Sequence, residues 1–191
     1  MHLVRREASN ENSVAVVVAC VSSDRHHVSR LTLKRIVSGG QTGVDRGTLD
    51  AALDAGFSCG GWCPQGRMAE DGAIPTRYPL VELARAGYEE RTLKNVLDAD
   101  ATAIIHFGNL EGGTRQTRKS CAEHRKPCEV IDAEKTSPLD AAGRLASFIA
   151  AHDIATLNVA GPRASKWPGA RDYAYEVVRH LIQAHKEQGS G

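Results

Sequence analysis

The chain has 191 residues, a formal net charge of +1 at pH 7, 41% hydrophobic residues and 25% charged residues. This length predicts one domain, and the composition excludes a disordered, collagenous or fibrous chain. Because the charge is balanced and has no long run of either sign, the sequence indicates neither a nucleic-acid partner nor an anionic membrane partner. The longest apolar run, Val14–Val21, has eight residues, far fewer than the roughly 20 that span a bilayer. The sequence therefore predicts no membrane-spanning segment.

The first 33 residues precede the periodic part of the chain, and we interpret them as an N-terminal extension. Either an additional strand or a poorly ordered leader fits this segment. Val17–Cys20 loosely resembles a lipoprotein cleavage box, but Glu7 and Glu11 stand where signal peptides avoid acidic residues. Residues 34–187 are expected to form the folded domain.

From Lys34 onward, short apolar runs alternate with longer segments whose apolar residues recur every three or four positions. The short runs predict five parallel strands, at Arg35–Ser38, Phe57–Gly60, Ala103–Phe107, Glu129–Ile131 and Thr156–Ala160. The longer segments predict five helices, at Val44–Ala55, Glu89–Ala99, Thr114–His124, Leu139–Ala151 and Arg171–His185. Since crossovers between parallel strands are right-handed, the expected fold class is α/β, a single doubly wound, mostly parallel Rossmann-like sheet with helices on both faces.

Two of these helices carry apolar stripes that are expected to pack against the sheet. The stripe of the fourth helix consists of Leu139, Ala142, Ala146 and Ile149. The stripe of the last helix consists of Ala174, Val177, Val178 and Leu181.

The interval Gly61–Gly87 interrupts the alternation, because it is rich in glycine and proline and has little periodicity. A connection of this length inside a compact domain is usually functional or disordered. We interpret it as a lid or a cavity wall, with an ordinary packed surface loop as the alternative. It carries aromatic and charged residues of the kind that contact ligands: Trp62, Arg67, Glu70, Asp71 and Tyr78.

Three of the five loops that follow the predicted strands are rich in glycine or begin with it: Ser38–Gly43, Gly108–Thr114 and Gly161–Lys166. Since parallel strands point their carboxyl ends to one edge of the sheet, these loops are expected to meet there. Glycine lets a backbone approach a ligand closely, and the next helix offers unpaired N–H groups and partial positive charge. One such turn has a purely steric explanation, but three together predict a site for phosphate or another anion.

Two common nucleotide-binding motifs do not match these loops. A Walker loop needs lysine and then serine or threonine after its last glycine, whereas Val44 and Asp45 follow Gly43. The dinucleotide motif needs glycine where Ser38 stands, and a carboxylate after the second strand, where Cys59–Cys63 offers none. A P-loop kinase and an NAD dehydrogenase are therefore disfavoured.

Several polar residues beside the loops have two interpretations each. Asp45, in the first turn of a predicted helix, either complements the helix dipole or binds a sugar hydroxyl or a cation. Arg163 lies in a loop, where its guanidinium either is solvated or clamps a phosphate. Thr114 and Thr117 are either a helix cap and a helix-face residue, or donors to the same anion.

The five cysteines are too sparse and too odd in number for a disulfide scaffold. A reducing cytoplasm is therefore the expected location. Cys59 with Cys63, and Cys121 with His124 and Cys128, lack the paired close spacing of zinc sites. We expect buried thiols and no metal bound by the protein itself.

Several separated motifs follow one another along residues 34–185. They are Ser38-Gly39-Gly40-Gln41-Thr42-Gly43-Val44-Asp45-Arg46, Ala69-Glu70-Asp71-Gly72, Ile74-Pro75, Tyr78-Pro79-Leu80, Arg91-Thr92 with Asn95, Gly112-Gly113-Thr114 and Asn158-Val159-Ala160-Gly161-Pro162-Arg163. In this order they resemble the putative molybdenum carrier family. This bacterial family is related to an algal molybdenum-cofactor carrier and forms a circularly permuted, YpsA-like branch of the SLOG superfamily of nucleotide-sensing, lysine-decarboxylase-like Rossmann proteins.

The resemblance implies a Rossmann-like domain that binds molybdenum cofactor, or a similar phosphorylated pterin or nucleotide, as its cargo. It also implies a set of ligand-contacting residues. These are Ser38, Gly39, Gly40, Gln41, Thr42, Gly43, Asp45, Arg46, Gly112, Gly113, Thr114, Thr117, Gly161, Pro162, Arg163 and Ser165, with Arg67, Glu70, Asp71 and Arg91 as further candidates. Because the dithiolene sulfurs of the pterin hold molybdenum, such a carrier needs no metal cluster of its own.

Two other functions stay open beside a carrier. The superfamily contains phosphoribohydrolases that cleave nucleoside monophosphates and use a glutamate after a glycine-rich loop, but Arg115–Thr117 follows Gly112–Thr114 here. Glu70, Asp71 or Glu82 could supply a carboxylate instead. The third hypothesis is a nucleotide sensor that signals to another protein. Rossmann-like relatives often dimerise, so by analogy a homo-oligomer is one possibility, and the sequence does not decide the oligomeric state.

Overall fold

The computed structural model describes residues 32–189, so the sequence hypotheses about residues 1–31 of the N-terminal extension fall outside the described part. Its strands are β1 (Arg35–Val37), β2 (Cys59–Pro64), β3 (Met68–Ala69), β4 (Gly72–Ala73), β5 (Leu80–Leu83), β6 (Ala101–His106), β7 (Cys128–Asp132) and β8 (Thr156–Ala160). Its α-helices are α1 (Val44–Asp54), α2 (Tyr88–Asp98), α3 (Gly112–Glu123), α4 (Pro138–His152) and α5 (Ala170–Gly189).

Six of the strands form one sheet in the order β5-β2-β1-β8-β6-β7. Every neighbouring pair in this sheet is parallel. Helices α1, α5 and α4 pack side by side in one layer, and α2 packs beside α3 in the other. The predicted fold class, a Rossmann-like α/β sheet, is therefore confirmed. The parallel arrangement also brings the loops after β1, β8 and β6, three adjacent strands, to one edge of the sheet.

The main core lies between the sheet and the layer of α1, α4 and α5. The predicted stripe of α5 is confirmed, because Ala174, Val177, Val178 and Leu181 are all fully buried. The stripe of α4 was wrong at its first position: Leu139 is 63% exposed, whereas Leu145 is buried. Leu139 lies in the first turn, two residues after the N-cap Ser137, whose side chain accepts from the Asp140 N–H. The buried side chains of this helix begin only at Ala141.

The second strand begins later than predicted. The chain at Phe57 still belongs to the turn that ends α1, and the Phe57 N–H donates to the Ala52 carbonyl. Gly56 makes this turn possible with φ of +61°. The strand then runs from Cys59 to Pro64.

The interval Gly61–Gly87 is not the irregular connection that the sequence predicted. It contains the second half of β2, the antiparallel pair β3–β4, and β5, which forms one edge of the main sheet. Apart from β2, these strands have only two to four residues each. Such strands are too short to show a recognisable alternation of apolar and polar residues in the sequence. A second, small core of Leu49, Cys63, Ile74, Tyr78 and Leu80 fixes this segment against α1 and β2.

Within residues 32–189, the structure contains no helix with both the length and the apolar character needed to cross a membrane.

Candidate ligand-binding site

The loops after β1 and β8 are in direct contact at the carboxyl edge of the sheet. The Val44 N–H donates to the Pro162 carbonyl over 3.1 Å, and the Ala164 N–H donates to Thr42 Oγ1 over 3.1 Å. Gly43 lies so close to the second loop that an added Cβ would stand 2.4 Å from the Pro162 oxygen. The two loops therefore form one continuous wall.

A cavity of about 610 Å³ opens beside this wall. The loop after β6 and helix α2 complete it, so all three glycine-containing loops contribute to one site. Its lining consists of Gln41, Asp45, Tyr88, Arg91, Thr92, His106, Phe107, Asn109, Glu111, Gly112, Gly113, Thr114, Thr117, Ala160, Gly161, Pro162, Arg163, Ser165, Lys166 and Trp167. Cavities that bind small molecules typically measure roughly 300 to 1,000 Å³, so the size fits a nucleotide-like ligand.

Gln41, which lines this cavity, has an unused hydrogen-bond donor. Its Oε1 accepts from the backbone N–H groups of Thr42 and Glu70, each over 3.0 Å. These two donors fix the orientation of the amide, because only the oxygen can accept them. The Nε2 group is buried and has no partner among the described residues. A buried donor without a partner is costly, so this position favours a ligand that supplies an acceptor.

Asp45 and Arg91 form a buried ion pair at the same end of the cavity. Arg91 Nη1 lies 3.2 Å from Asp45 Oδ2, and both side chains are nearly inaccessible to solvent. The Gln41 N–H also donates to Asp45 Oδ2. Burial raises the pKa of Asp45 above its ordinary value, although Arg91 and the Gln41 N–H act in the opposite direction. Gly39 makes room for the pair, because a Cβ there would overlap Arg91 Nη1.

The other end of the cavity is formed by the N-terminus of α3. This helix starts without a side-chain cap and has no acidic residue in its first turn. The Thr114 N–H donates to the Glu111 carbonyl, whereas the N–H groups of Gly112 and Gly113 have no partner among residues 32–189. A Cβ at either glycine would touch nothing within 4 Å. Packing explains neither glycine, although Gly112 has a φ of +48° that favours glycine. The exposed N–H groups of both residues suit an anion.

Aromatic and cationic side chains flank the space between these two ends. Phe107 and Trp167 stack with their ring centroids 4.7 Å apart, and the Arg163 guanidinium lies 5.6 Å from the Tyr88 ring centroid. Lys166 also lines the cavity. Aromatic faces favour flat heterocycles, and guanidinium and ammonium groups favour phosphate.

Five of the sequence-predicted residues lie at the loops but do not line the cavity. Ser38 is fully buried and donates to the Val159 carbonyl. Gly40 packs against Leu80, because a Cβ there would stand 2.3 Å from that side chain. Gly39, Thr42 and Gly43 contact neighbouring residues outside the cavity: Gly39 lies against Arg91, and Thr42 and Gly43 lie against the loop after β8. We therefore interpret these five residues as structural parts of the loops.

Four further predicted residues are engaged with one another or with backbone, outside the cavity. Arg46 forms a two-pronged pair with Asp71. The Arg67 guanidinium donates to the carbonyls of Ile74, Pro75, Tyr78 and Leu80. Glu70 accepts from Thr42 and Ser165. We therefore interpret Arg46, Glu70 and Asp71 as groups that fix the 61–87 segment to the edge of the sheet, and Arg67 as a group that holds this segment together internally.

Because Glu70 ties the long segment to two loops, replacing Glu70 with glutamine should destabilise the fold by about 1 to 2 kcal/mol at pH 7. Burial opposes ionisation, but hydrogen bonds from Ser165 and Thr42 lower the pKa of Glu70 below its ordinary value of 4.5. A lowered pKa stabilises the fold above the unfolded value, and this stabilisation is lost as the pH falls through the folded value. Urea unfolding should therefore separate wild type from Glu70→Gln at pH 7, and the difference in stability should shrink as the pH falls below 4.5. A stability difference between wild type and Glu70→Gln that increases at acidic pH would contradict this role of Glu70.

The sequence missed several residues that line the cavity, above all Tyr88, Phe107 and Trp167. Phe107 was assigned to a strand, and Tyr88 and Trp167 lay outside the motifs. Trp167 could have been predicted from the sequence. It directly follows the Gly161–Lys166 loop, so it is expected at the same carboxyl edge of the sheet as that loop. His106 and Asn109 were also not singled out.

No group of three or more histidine, cysteine, aspartate or glutamate side chains within residues 32–189 is placed to hold a metal ion. The four cysteines of this region, Cys59, Cys63, Cys121 and Cys128, are free thiols.

The fold and the cavity define a class: a Rossmann-like α/β protein with a ligand-sized cavity at the carboxyl edge of its sheet. Within this class, the chain belongs to the circularly permutated YpsA SLOG family, whose sequence profile matches residues 36–182. The resemblance stated from the motifs is thereby confirmed.

A solved structure supports this assignment. The crystal structure of a putative molybdenum carrier protein from Syntrophus aciditrophicus, at 1.45 Å resolution, is 41% identical in sequence, with a TM-score of 0.78. The similarity covers 80% of this chain and 97% of that chain. No curated protein matches the chain.

Proposed function

We propose that this protein binds and carries a small phosphorylated heterocycle, a pterin such as molybdenum cofactor or a nucleotide. The observation that carries the proposal is the convergence of three loops on one cavity of about 610 Å³, with an uncapped helix N-terminus at one end. The phosphate would lie at the N–H groups of Gly112 and Gly113, with Lys166 and Arg163 beside it. The heterocycle would lie between the aromatic side chains.

The charge distribution supports this orientation. Arg91, Arg163 and Lys166 line the cavity together with Asp45 and Glu111. Arg91 is already neutralised by Asp45, and Arg163 has only a long contact of 3.8 Å with Glu70. Lys166 has no ion pair within the described residues. The cavity therefore carries positive charge on Lys166 and Arg163 that is not fully paired, and the helix dipole of α3 adds partial positive charge at its N-terminus.

The positions of the candidate catalytic carboxylates favour a carrier over a hydrolase. Thr117 stands where the phosphoribohydrolase motif has its glutamate, and its hydroxyl donates to the Gly113 carbonyl. Glu70 and Asp71 are engaged outside the cavity, and Glu82 accepts from the Gly66 N–H. None of these three carboxylates lines the cavity.

The name of the similar crystal structure, a putative molybdenum carrier protein, supports molybdenum cofactor as one cargo. That cofactor is a phosphorylated pterin whose own sulfurs hold the metal, so the residues that line the cavity need to recognise the pterin and the phosphate. The free thiols of the described region suit a cytoplasmic location, which is part of this proposal.

A thermal-shift panel of molybdopterin, GMP and AMP tests the proposal. A ligand at about 100 times its dissociation constant adds ~2.7 kcal/mol, which should raise the melting temperature by roughly 5 to 10 °C. Native mass spectrometry of the purified protein, with elemental analysis for molybdenum, identifies any bound cargo. No shift with any compound of the panel, and no small molecule bound after purification, would contradict the proposal.

Replacing Lys166 with alanine should weaken binding of the best ligand in this panel by about tenfold, because it removes a charge-assisted hydrogen bond to the phosphate. The matched control is Lys119→Ala, since Lys119 is exposed on α3 and pairs with Glu123 outside the cavity. Isothermal titration measures both variants. Equal affinities for the two variants would remove Lys166 from the phosphate site.

A further inference from the structure

The two ends of the cavity differ in what they can accept. At the α3 end, the exposed N–H groups of Gly112 and Gly113 favour an anion. At the opposite end lies Asp45, a buried carboxylate. Arg91 pairs with this carboxylate over 3.2 Å, so the two charges compensate each other and neither is left to bind a phosphate. The Asp45 end therefore suits a neutral part of the ligand.

The hydrogen-bonding groups at this end are two buried donors without a partner among the described residues, Gln41 Nε2 and Arg91 Nε, and one acceptor, the Asp45 carboxylate. Gln41 is 6% exposed, and its Nε2 group is an unpartnered donor. Because Oε1 is occupied by two backbone N–H groups, Gln41 can only donate to a ligand. Asp45 lines the same cavity and, as a carboxylate, can only accept. The Gln41 N–H donates to Asp45, so the two groups are neighbours.

We infer that Gln41 and Asp45 recognise the oxo edge of the ligand's heterocycle, a carbonyl beside a ring N–H, as in a 6-oxopurine or a 4-oxopterin. The carbonyl accepts from Gln41 Nε2, and the ring N–H donates to the Asp45 carboxylate. This inference rests on the proposed function and deepens it by naming the chemical class of the heterocycle. The corresponding amino form, as in adenine, reverses both hydrogen-bonding partners and faces Gln41 with a donor.

The buried position of Gln41 makes this a specificity contact. A mismatched edge leaves the Gln41 donor without a partner and places a second donor against it. Sites that hydrogen-bond a substrate group reject analogues that lack this group far more strongly than apolar sites reject a missing methylene. Tyr88 and the stacked Phe107 and Trp167 contribute affinity to any flat ring, so discrimination depends on Gln41 and Asp45.

The test compares ligands that differ only at this edge. Isothermal titration with GMP, IMP and AMP should give at least about tenfold tighter binding of the two oxopurines than of AMP. The same preference should appear for pterin over 2,4-diaminopteridine. Ribose 5-phosphate, which lacks a base, reports the phosphate end alone. The comparison uses wild-type protein, so it needs no variant.

Gln41→Glu tests the residue itself. This change keeps an oxygen for the Thr42 and Glu70 N–H groups and replaces the donor by an acceptor. It should abolish the preference for the oxo form, measured as the ratio of the GMP and AMP affinities. Gln65→Glu is the matched control, because Gln65 Oε1 accepts from the Arg85 N–H far from the cavity, and it should keep the wild-type preference.

Each failure has a different signature. Equal affinities of wild type for the oxo and amino forms, with ribose 5-phosphate bound, would overturn the inference and leave the proposed function intact. An unchanged preference in Gln41→Glu would likewise overturn it. Absence of binding to every probe, ribose 5-phosphate included, would overturn the proposed function and the inference together.

Discussion

Gly43→Ala should lower the free energy of unfolding by about 3 kcal/mol or more, because two separate costs add at this residue. Gly43 has φ of +76° and ψ of −131°, a conformation that costs other residues roughly 1 to 3 kcal/mol. The new Cβ would also stand 2.4 Å from the Pro162 oxygen and 2.8 Å from the Ala164 nitrogen. Both are backbone atoms, so the loops after β1 and β8 must separate.

The matched control for this variant is Gly56→Ala. Gly56 also has a positive φ, of +61°, but an added Cβ there would touch nothing within 4 Å. It should therefore lose only about 1 kcal/mol. Urea unfolding followed by circular dichroism measures both variants, and Gly43→Ala should also lose ligand binding. Equal unfolding midpoints for the two variants would contradict the close contact between the loops.

Arg91→Met should destabilise the fold by about 3 to 5 kcal/mol, because it leaves the buried carboxylate of Asp45 without its charged partner. Lys94→Met is the matched control, since Lys94 lies on the same helix but pairs with Asp98 at the surface. The control should change stability by less than ~1 kcal/mol. Chemical unfolding at pH 7 separates the two variants, and similar losses for both would contradict the buried pair.

The loss in Arg91→Met should also depend on pH in a defined direction. Burial already raises the pKa of Asp45 above 3.8, and Arg91 opposes this effect, so its removal raises the pKa further. The folded variant then binds a proton more tightly than its unfolded state, and its stability should increase as the pH falls through the folded pKa toward ~4. Adding Asp45→Asn to Arg91→Met should restore part of the stability at pH 7. A loss that grows in acid would contradict this assignment.

The central part of the fold could be predicted from sequence because its strands are continuous apolar runs and its helices have clear stripes. Thr156–Ala160 was predicted with its observed bounds. From the parallel strands alone, three loops were expected at one edge, and the contact of the Val44 N–H with the Pro162 carbonyl is the physical result. This prediction needs only the order of elements and the right-handed crossover.

The parts that could not be predicted depend on contacts between distant residues. The edge strand Leu80–Leu83 is short and half exposed, so it leaves no periodic signal. Arg67 resembled a ligand contact because nothing in the sequence indicates that backbone carbonyls surround its guanidinium. Leu139 matched an apolar stripe, and only the packing of the first turn of α4 exposes it.

For the cavity, too, the sequence predicted some features, whereas others depend on contacts between distant residues. Gln41 was predicted from its motif, but its role as a fixed donor depends on the Glu70 N–H, 29 residues away. Tyr88 and Trp167 line the same cavity only because the fold brings the start of α2 close to the segment that follows β8. Sequence motifs therefore located the edge of the sheet, while long-range contacts decided which side chains face the cavity.

A crystal structure of the protein with the most tightly bound compound of the nucleotide and pterin panel tests the central claim most directly. We expect the phosphate within hydrogen-bond distance of the Gly112 and Gly113 nitrogens, and the heterocycle beside Gln41 Nε2. A ligand bound outside this cavity, or one bound in it with its phosphate against Asp45, would contradict the account.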